Sequence, residues 1–244
     1  MIADWIEPDW PAPPRVRALV TTRHGGVSSG PYASMNVGLH VGDSPDAVLR
    51  NRALLRGALP SEPLWLEQVH GVVVADADSD TGVPRADASI ATTPGRVCVV
   101  MTADCLPVLF CDDAGTVVAA AHAGWRGLAD GVLDATLARL GVPAAAVLAW
   151  LGPAIGPGAF EVGDEVRRCF VDADPGAAAA FRPGVVPGKW MADLFALARL
   201  RLSRLGVERV SGGGLCTHAG QQRFFSYRRE GITGRFASMV WLQA

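Results

Sequence analysis

The sequence predicts an α/β fold, a single domain in which helices pack against a mixed β-sheet. Short apolar runs bounded by Asp, Pro and Gly recur along the chain, as strands do. Segments with apolar residues at helical spacing lie between them, and no repeat or linker interrupts the series. A chain of 244 residues can bury one large core. We therefore expect one domain over 1–244, with 1–14 as an N-terminal extension.

Seven segments have the composition of strands. The first, RVRALVTTR, precedes a loop rich in Gly and Ser. The second contains aromatic and β-branched residues, and the next three are short apolar runs with Asp, Pro or Gly at their ends. In chain order, the predicted strands are 15–23, 64–76, 96–101, 106–112, 116–122, 146–155 and 236–243.

Four segments have the spacing of helices. Ser44 and Pro45 are an N-cap and a first-turn proline, so a helix begins there and continues to about Leu59. Gly141 and Gly206 stand where glycines commonly end helices. The predicted helices are 44–59, 128–140, 162–171 and 191–206, and an Ala/Pro/Gly-rich surface excursion is predicted over 173–188.

The composition argues against several classes of function. Charges nearly cancel, to a net −2, so no basic surface for nucleic acid is indicated. Residues 1–14 lack the features of a signal peptide, and no stretch approaches the roughly 20 apolar residues of a membrane span. The five cysteines, an odd number at irregular spacing, suit a reducing compartment. We expect a cytoplasmic protein without nucleic-acid or membrane partners.

Two histidines and one cysteine stand where apolar runs meet loops: His70 in EQVHG, Cys105 in TADCLP and His122 in AAAHAGWRG. Two imidazoles and one thiolate are ligands that zinc accepts, and three protein ligands leave a fourth position open for catalysis. The alternative is a small buried cysteine with histidines that satisfy local backbone groups. The gaps of 35 and 17 residues match no compact zinc signature, so spacing alone leaves both interpretations open.

Charged residues close to this trio could take part in chemistry. Asp104 could orient an imidazole or act as a general base. Arg126 could hold a phosphate or an oxyanion, because GWRG lies between a strand and the start of a helix. Arg23, before a glycine pair, could form an anion loop. An ordinary ion pair is the alternative for Asp104 and Arg126, and a lone glycine pair is a weak signal for an anion loop at Arg23.

The C-terminal segment QQRFFSYRREGITGR places four arginines among three aromatic residues. Arginine with aromatic rings could stack on a flat heterocycle and bind phosphate. A solvated basic hairpin with one buried face is the alternative. The residues concerned are Arg223, Phe224, Phe225, Tyr227, Arg228, Arg229 and Arg235.

Several long runs, in collinear order over about 15–242, resemble the YfiH/LACC1 family of laccase-domain proteins, also called multicopper polyphenol oxidase-like. These proteins are regarded as purine nucleoside phosphorylases. The runs are TRHGGVSSGPYASMNVGLHVGD, QVHG, TADCLPVLF, AAHAGWRG, LGPAIGPGAFEVGDEV, CT and FFSYRREGITGR.

The resemblance implies a YfiH-like fold with the architecture of CNF1-like cysteine hydrolases. It implies zinc-dependent phosphorolysis of adenosine, inosine, guanosine or methylthioadenosine, together with deamination of adenosine. The expected partners are purine nucleosides and inorganic phosphate, and a monomer is favoured. The family's metal ligands fall on His70, Cys105 and His122. The predicted catalytic residues are Cys105, His122 and Asp104, and the predicted substrate-binding residues are Arg23, Asn36, Arg126 and Arg228.

Two other functions stay open, and a third, that of a laccase, is disfavoured. Cys105 activated by His122 would make a cysteine hydrolase, such as an amidase acting on cell-wall precursors. A laccase needs more histidines than the five present, although Cu²⁺ could enter the site adventitiously. A non-catalytic nucleotide-binding module with structural zinc would need a fourth ligand. The residues available for that role are His24, His40, Cys98, Cys111 and His218.

Overall fold

The computed structural model describes residues 4–244, so the first three residues of the predicted N-terminal extension lie outside the described residues. Within this range the chain forms twelve strands. They are β1 (Val16–Val20), β2 (Val74–Asp76), β3 (Ala88–Ala91), β4 (Val97–Thr102), β5 (Leu106–Asp112), β6 (Val118–Ala123), β7 (Val147–Leu151), β8 (Glu161–Gly163), β9 (Phe181–Pro183), β10 (Lys189–Ala192), β11 (Arg209–Gly212) and β12 (Phe236–Leu242).

The same range contains six α-helices. They are α1 (Pro45–Arg56), α2 (Trp125–Asp130), α3 (Val132–Leu140), α4 (Asp164–Val171), α5 (Leu194–Arg204) and α6 (Tyr227–Glu230). None of these helices is long and apolar enough to cross a membrane.

The strands form three sheets. The largest has six strands in the order β11-β7-β5-β6-β3-β2 and is mixed, because β11–β7 and β2–β3 are parallel pairs and the other pairs are antiparallel. A second sheet, β1-β12-β4, is antiparallel, and so is the small sheet β8-β10-β9. The predicted α/β fold with a mixed sheet is confirmed, and two antiparallel sheets are added to it.

Alternating side chains organise the molecule into layers. Along β5, Val108 and Phe110 pack toward the helices, whereas Leu109 and Cys111 pack toward the β1-β12-β4 sheet. The far face of that second sheet is covered by apolar residues of α1, among them Leu55. The order is therefore helix, sheet, sheet, helices. Because both faces of the large sheet are covered at its centre, strands β5, β6 and β7 are buried throughout and are largely continuous apolar runs, not alternating ones.

Several predicted elements need correction. The predicted helix 128–140 is two helices, because Gly131 at φ 101 breaks the backbone between them. The excursion 173–188 is not wholly on the surface: its 3₁₀ turn Pro175–Ala180 buries two alanines, and β9 follows. The segment 64–76 forms a strand only at its end, β2. Strands β3 and β8–β11 were not predicted, since all five have four residues or fewer and little apolar periodicity.

Strand register gathers polar groups at one end of the large sheet. In the β5–β6 pair, Pro107 lies opposite His122. In the β3–β6 pair, Ala88 lies opposite Ala121. The residue before β3, Asp87, therefore comes next to His122, whose backbone N–H donates to the Asp87 carbonyl at 2.7 Å. Asp87 and Cys105, just outside the ends of β3 and β5, and His122, within β6, belong to the site described next.

Candidate active site

The three predicted ligands converge. One ligand atom from each of His70, Cys105 and His122 lies within 4.8 Å of the others. Cys105 Sγ is 3.6 Å from His70 Nε2, and the two imidazole ring centroids are 4.7 Å apart. His122 is buried, Cys105 is half-buried and His70 is exposed. The group of three ligands is therefore buried at His122 and open to solvent at His70.

Each ligand is fixed by a different kind of local structure. His122 lies within strand β6, and Cys105 directly precedes β5. His70 belongs to a turn before β2 and has a positive φ of 62, a conformation that few residues other than glycine adopt. Its imidazole is consequently held by backbone conformation and hydrogen bonds, since no strand supports it.

No sequence pattern pointed to Asp87, which supports both histidines. Its buried carboxylate accepts from His122 Nδ1 at 2.8 Å. It also accepts from three consecutive backbone N–H groups, at 3.2, 2.8 and 2.7 Å, in the turn that carries His70. An aspartate at the start of a predicted strand would have been the signal, but β3 was not predicted.

Cys105 and His122 stabilise each other's charged forms. Burial opposes ionisation of the Cys105 thiol, but the charge and hydrogen bond of His122, aided by His70, lower its pKa to about 6. Burial also opposes protonation of His122, and the sulfur of Cys105 and the carboxylate of Asp87 raise its pKa to about 9. Without a metal, the pair is a thiolate and an imidazolium at neutral pH. The thiolate is the form that acts as a nucleophile or a metal ligand.

The donor set fits a metal ion. Two imidazoles and a thiolate suit zinc and also accept copper. The described residues bring no fourth His, Cys, Asp or Glu into this group. A structural zinc normally has a closed shell of four protein ligands. The described residues do not complete such a shell here. The group resembles a catalytic metal site with an open position.

Because Gly124 has no side chain, His70 and Cys105 can pack directly against its backbone. A Cβ at this position would lie 2.7 Å from His70 Cδ2 and 3.0 Å from Cys105 Sγ. The backbone of Gly124 has φ −61 and ψ 158, which any residue can adopt. The glycine in AHAGWRG is therefore required for close approach to the two ligands and not for backbone freedom.

The trio lies in a cleft of about 410 Å³. The walls combine polar, sulfur-containing and aromatic side chains, which could contact both an anion and a flat ring. The lining residues are His40, Gln68, His70, Met101, Thr102, Ala103, Cys105, His122, Tyr227 and Arg235. Tyr227 is 59% exposed, so most of its ring is free for a ligand.

Arg235 is the arginine of this cleft. Its Nη1 donates to the carbonyls of Thr233 and Gly234, at 3.1 and 3.0 Å. Within the described residues its Nε and Nη2 form no hydrogen bonds, so they are available to a ligand. Burial lowers the pKa of Arg235, but a guanidinium keeps its charge in proteins. Its only sequence signal was its place in the C-terminal arginine and aromatic segment.

Asn36, predicted to bind substrate, is fully buried and does not line the cleft. Its Oδ1 accepts from the backbone N–H groups of Arg235 and Gly38, at 2.8 and 2.9 Å. Its Nδ2 donates to Asp43 Oδ2 at 3.0 Å. Asn36 therefore supports two cleft segments, one carrying Arg235 and the other carrying His40.

Asp104 is placed beside Cys105, but both of its carboxylate oxygens are engaged. Oδ1 accepts from Thr217 Oγ1 at 2.6 Å. Oδ2 accepts from Ser226 Oγ at 3.0 Å and from the backbone N–H of Arg228 at 2.6 Å. These contacts fix the start of α6 and therefore the position of Tyr227. The observed role of Asp104 is to hold that segment, and proton transfer by it stays a prediction.

The three arginines predicted to bind substrate do not line the cleft either. Arg23 pairs with Glu230 at 2.8 Å. Arg126 is exposed on α2, with its guanidinium 4.8 Å from the Trp125 ring. Arg228 donates to the Glu161 carbonyl at 2.8 Å. Their local partners explain why the structure does not bring them to the metal ligands, and their contact with substrate stays a prediction.

Glu230 holds the ends of the segment that carries Tyr227 and Arg235. Its carboxylate accepts from Arg23 at 2.8 Å, from Arg229 at 3.0 Å and from the Thr233 hydroxyl. Burial opposes ionisation of Glu230, but these hydrogen bonds and the arginine charges lower its pKa to about 2. The carboxylate is therefore ionised throughout the physiological range.

The comparisons with known proteins agree with the architecture. Residues 17–243 match the model of the family described as multi-copper polyphenol oxidoreductase laccase. A purine nucleoside phosphorylase of Pseudomonas aeruginosa is 61% identical over 239 residues, with 98% of each chain covered. The purine nucleoside phosphorylase YfiH of Escherichia coli is 56% identical over 244 residues, covering 97% of this chain and 98% of that protein.

A solved structure shows the same fold. The protein NMB0706 of Neisseria meningitidis superposes with a TM-score of 0.95 at 54% identity, covering 99% of this chain and all of that one. The α/β chain with its His-Cys-His cleft therefore belongs to the laccase-like family, as the sequence resemblance predicted. Since relatives along its full length are named as enzymes, it is an enzyme.

The close contact at Gly124 can be tested with Gly124→Ala. The new methyl group would displace His70 and Cys105, so we expect Co²⁺ to bind at least about tenfold more weakly, the lower end of the effect of disturbing the surroundings of metal ligands. A spectroscopic Co²⁺ titration measures the affinity. Gly158→Ala is the matched control, because nothing lies within 4 Å of a Cβ there. Equal affinities in the two variants would contradict the steric argument.

The Glu230 contacts predict a pH-dependent contribution to stability. Because the folded-state pKa is lowered from 4.5 to about 2, the stabilisation is complete above 4.5 and is lost as pH falls toward 2. We expect Glu230→Gln to lower the free energy of unfolding by about 2 kcal/mol at neutral pH. Urea unfolding should show the difference from wild type shrinking below pH 4.5. Glu208→Gln, at an exposed carboxylate, serves as the control. A difference independent of pH would refute the ionic origin.

Proposed function

We propose that the protein is a purine nucleoside phosphorylase that holds Zn²⁺ in its cleft. The observation that carries the proposal is the convergence of the His-Cys-His trio and the unpaired edge of Arg235 in one cleft of about 410 Å³. Relatives with this name match the chain from end to end. The substrates are a purine nucleoside, such as adenosine, inosine, guanosine or methylthioadenosine, and inorganic phosphate.

Arg235 is the proposed phosphate ligand. A guanidinium presents parallel N–H donors that match two oxygens of a phosphate. The Arg235 backbone N–H donates to Asn36 Oδ1, and the Thr233 and Gly234 carbonyls accept from Arg235 Nη1, so the guanidinium is held in place before phosphate arrives. Such preorganisation reduces the entropy lost on binding.

Tyr227 is the proposed contact for the purine. Its exposed ring stands on the wall of the cleft, and aromatic rings favour offset stacking worth about 0.5–1.5 kcal/mol beyond the buried area. Asp104 fixes the backbone beside Tyr227 through Ser226 and Arg228, so the ring has a defined position. We therefore propose Asp104 as a positioning residue for the base.

The reaction exchanges one bond at the ribose. The C1′–N9 bond of the nucleoside breaks and its electron pair leaves with the purine, while an oxygen of hydrogen phosphate bonds to C1′. The proton lost by the phosphate is taken up by the purine, giving the sugar 1-phosphate (ribose 1-phosphate from adenosine) and the free base. Arg235 orients the phosphate nucleophile, and Tyr227 orients the leaving base. His70, Cys105 and His122 would hold the zinc ion, which supplies Lewis-acid stabilisation of developing negative charge.

Deamination of adenosine is a second proposed activity of the same cleft. Water replaces the C6 amine of adenosine, and inosine and ammonia are released. Zinc sites with an open position support this type of hydrolysis. Both reactions use adenosine, so one assay with separated products can measure both.

A cysteine hydrolase is the second candidate function, and one observation favours it. The Cys105 thiol has a pKa of about 6, with two imidazoles nearby, so it is a thiolate at neutral pH. A thiolate beside a histidine is the arrangement of nucleophilic cysteine enzymes. Amide substrates such as cell-wall precursors would then be attacked at carbon. Activity that survives metal chelation but not thiol alkylation would favour this function.

The variant Cys105→Ala tests whether the protein is an enzyme that uses this site or a non-catalytic scaffold. It removes the sulfur ligand, so we expect loss of bound zinc and a fall in both phosphorolysis and deamination of at least about 100-fold, since metal-ion catalysis supplies several kcal/mol. The assay is chromatography of products from adenosine, with and without phosphate. Cys169→Ala, at an exposed cysteine outside the cleft, is the control. Full activity of the Cys105 variant would remove both the metal and the thiolate mechanisms.

Arg235→Ala tests the phosphate contact. The loss of charge-assisted hydrogen bonds should raise the KM for phosphate roughly 10- to 100-fold, as expected for about 1.5–3 kcal/mol, while zinc content is unchanged. Initial rates at varied phosphate give the KM. Arg228→Ala is the informative comparison, because its guanidinium is engaged with a backbone carbonyl. If Arg228→Ala raises the KM and Arg235→Ala does not, the assignment is wrong.

A further inference from the structure

Asp87 has no exposed surface, yet its carboxylate is surrounded by donors. Oδ1 accepts from His122 Nδ1 and from the backbone N–H of His70, both at 2.8 Å. Oδ2 accepts from the backbone N–H groups of Gly71 at 2.7 Å and Val69 at 3.2 Å. A buried ion needs such compensation to be stable. The Asp87 carboxylate therefore supports two different metal ligands, His122 through its imidazole and His70 through its backbone.

For His122, the contact selects a tautomer. A carboxylate can only accept, so the proton of the neutral imidazole must be on Nδ1. The lone pair is then on Nε2, the nitrogen left for the metal. A ligating histidine whose other nitrogen donates to a carboxylate is fixed in orientation and is made a stronger ligand.

For His70, the contact stabilises a backbone conformation. The three N–H groups of residues 69–71 point at one carboxylate, and His70 at their centre has φ 62. Left-handed backbone is unfavourable for a residue with a side chain and persists where surrounding contacts impose it. Loss of these hydrogen bonds would release the turn and with it the imidazole of His70.

We propose that Asp87 is the positioning residue of the metal centre, setting the tautomer of His122 and the backbone of His70 at the same time. The inference rests on the metal site of the proposed function. It does not depend on which nucleoside is cleaved. Asp87 does not itself line the cleft but contacts two residues that do, so it acts through the histidines.

Asp87→Asn tests the proposal because neither orientation of an amide satisfies the four donors. If its NH₂ replaces Oδ2, it faces the N–H groups of Gly71 and Val69, and the turn of His70 loosens. If its NH₂ replaces Oδ1, it requires His122 Nδ1 to accept, which moves the proton to Nε2. Either outcome weakens the binding of metal. We expect the Kd for Co²⁺ to rise about 10- to 100-fold.

Asp112→Asn is the matched control. Asp112 is also buried and accepts from two backbone N–H groups and one hydroxyl, but it is the last residue of β5 and lies outside the cleft. The control should lose stability and keep the wild-type Kd for Co²⁺. Thermal unfolding of both variants, measured alongside the Co²⁺ absorption titrations, separates lost stability from lost metal affinity.

The Co²⁺ titrations distinguish failure of the metal centre itself from failure of the role proposed for Asp87. Wild-type protein that binds no Co²⁺ would overturn the metal centre and this inference together. Wild-type and Asp87→Asn proteins with equal Kd values would overturn the inference alone and leave the proposed function intact. Equal weakening in both variants would also overturn it, because a general loss of stability would then explain the effect.

A measurement on the wild-type protein covers the case in which Asp87→Asn does not fold. Long-range ¹H–¹⁵N spectra of Zn²⁺-loaded, ¹⁵N-histidine-labelled protein report the protonated nitrogen of each of its five histidines. His122 should show a proton on Nδ1 and zinc on Nε2, and His122→Gln identifies its signals. A proton on Nε2 would refute the proposed role of Asp87.

Discussion

The register of three neighbouring strands determines where the site can form. Pro107 pairs with His122, and Ala88 pairs with Ala121. Asp87 and Cys105, which precede β3 and β5, therefore meet His122 of β6 at one end of the sheet. A shift of one residue would turn His122 to the opposite face, since side chains alternate along a strand. The alternation of buried side chains on β5 between the helices and the second sheet opposes such a shift. The packing of the core therefore determines the positions of the site residues.

Unfavourable backbone conformations are concentrated next to the ligands. His70 has φ 62, and Asp104, directly before Cys105, has φ 93. Each conformation costs of order 1–3 kcal/mol and needs stabilising contacts. His70 receives them from Asp87, and the Asp104 carbonyl accepts from the Ile155 backbone N–H at 2.9 Å. The site thus depends on buried hydrogen bonds from elements remote in sequence.

The sequence was sufficient for the apolar strands and for the ligand trio, but for different reasons. Strands such as β4 and β12 are continuous apolar runs that local composition reveals. The trio was found through family resemblance, since its spacing matches no compact zinc signature and alone favoured a structural cysteine. No role was predicted for Asp87, and Arg235 was only one of four arginines in a candidate segment, because their partners lie far along the chain: the Arg235 backbone N–H donates to Asn36 Oδ1 across 199 residues. Such pairings follow from tertiary structure and leave no local pattern.

The number of imidazoles around Cys105 bears on the choice between a metal site and a nucleophile. A nucleophilic cysteine needs one histidine to take its proton, and His122, hydrogen-bonded to Asp87, is already suited to that role. The second imidazole, His70, is 3.6 Å from the sulfur and requires a left-handed backbone held by three hydrogen bonds to the same carboxylate. Catalysis by a thiolate does not call for this additional imidazole, whereas a three-ligand metal site does. The geometry of His70 therefore favours metal binding as the principal function of the thiolate.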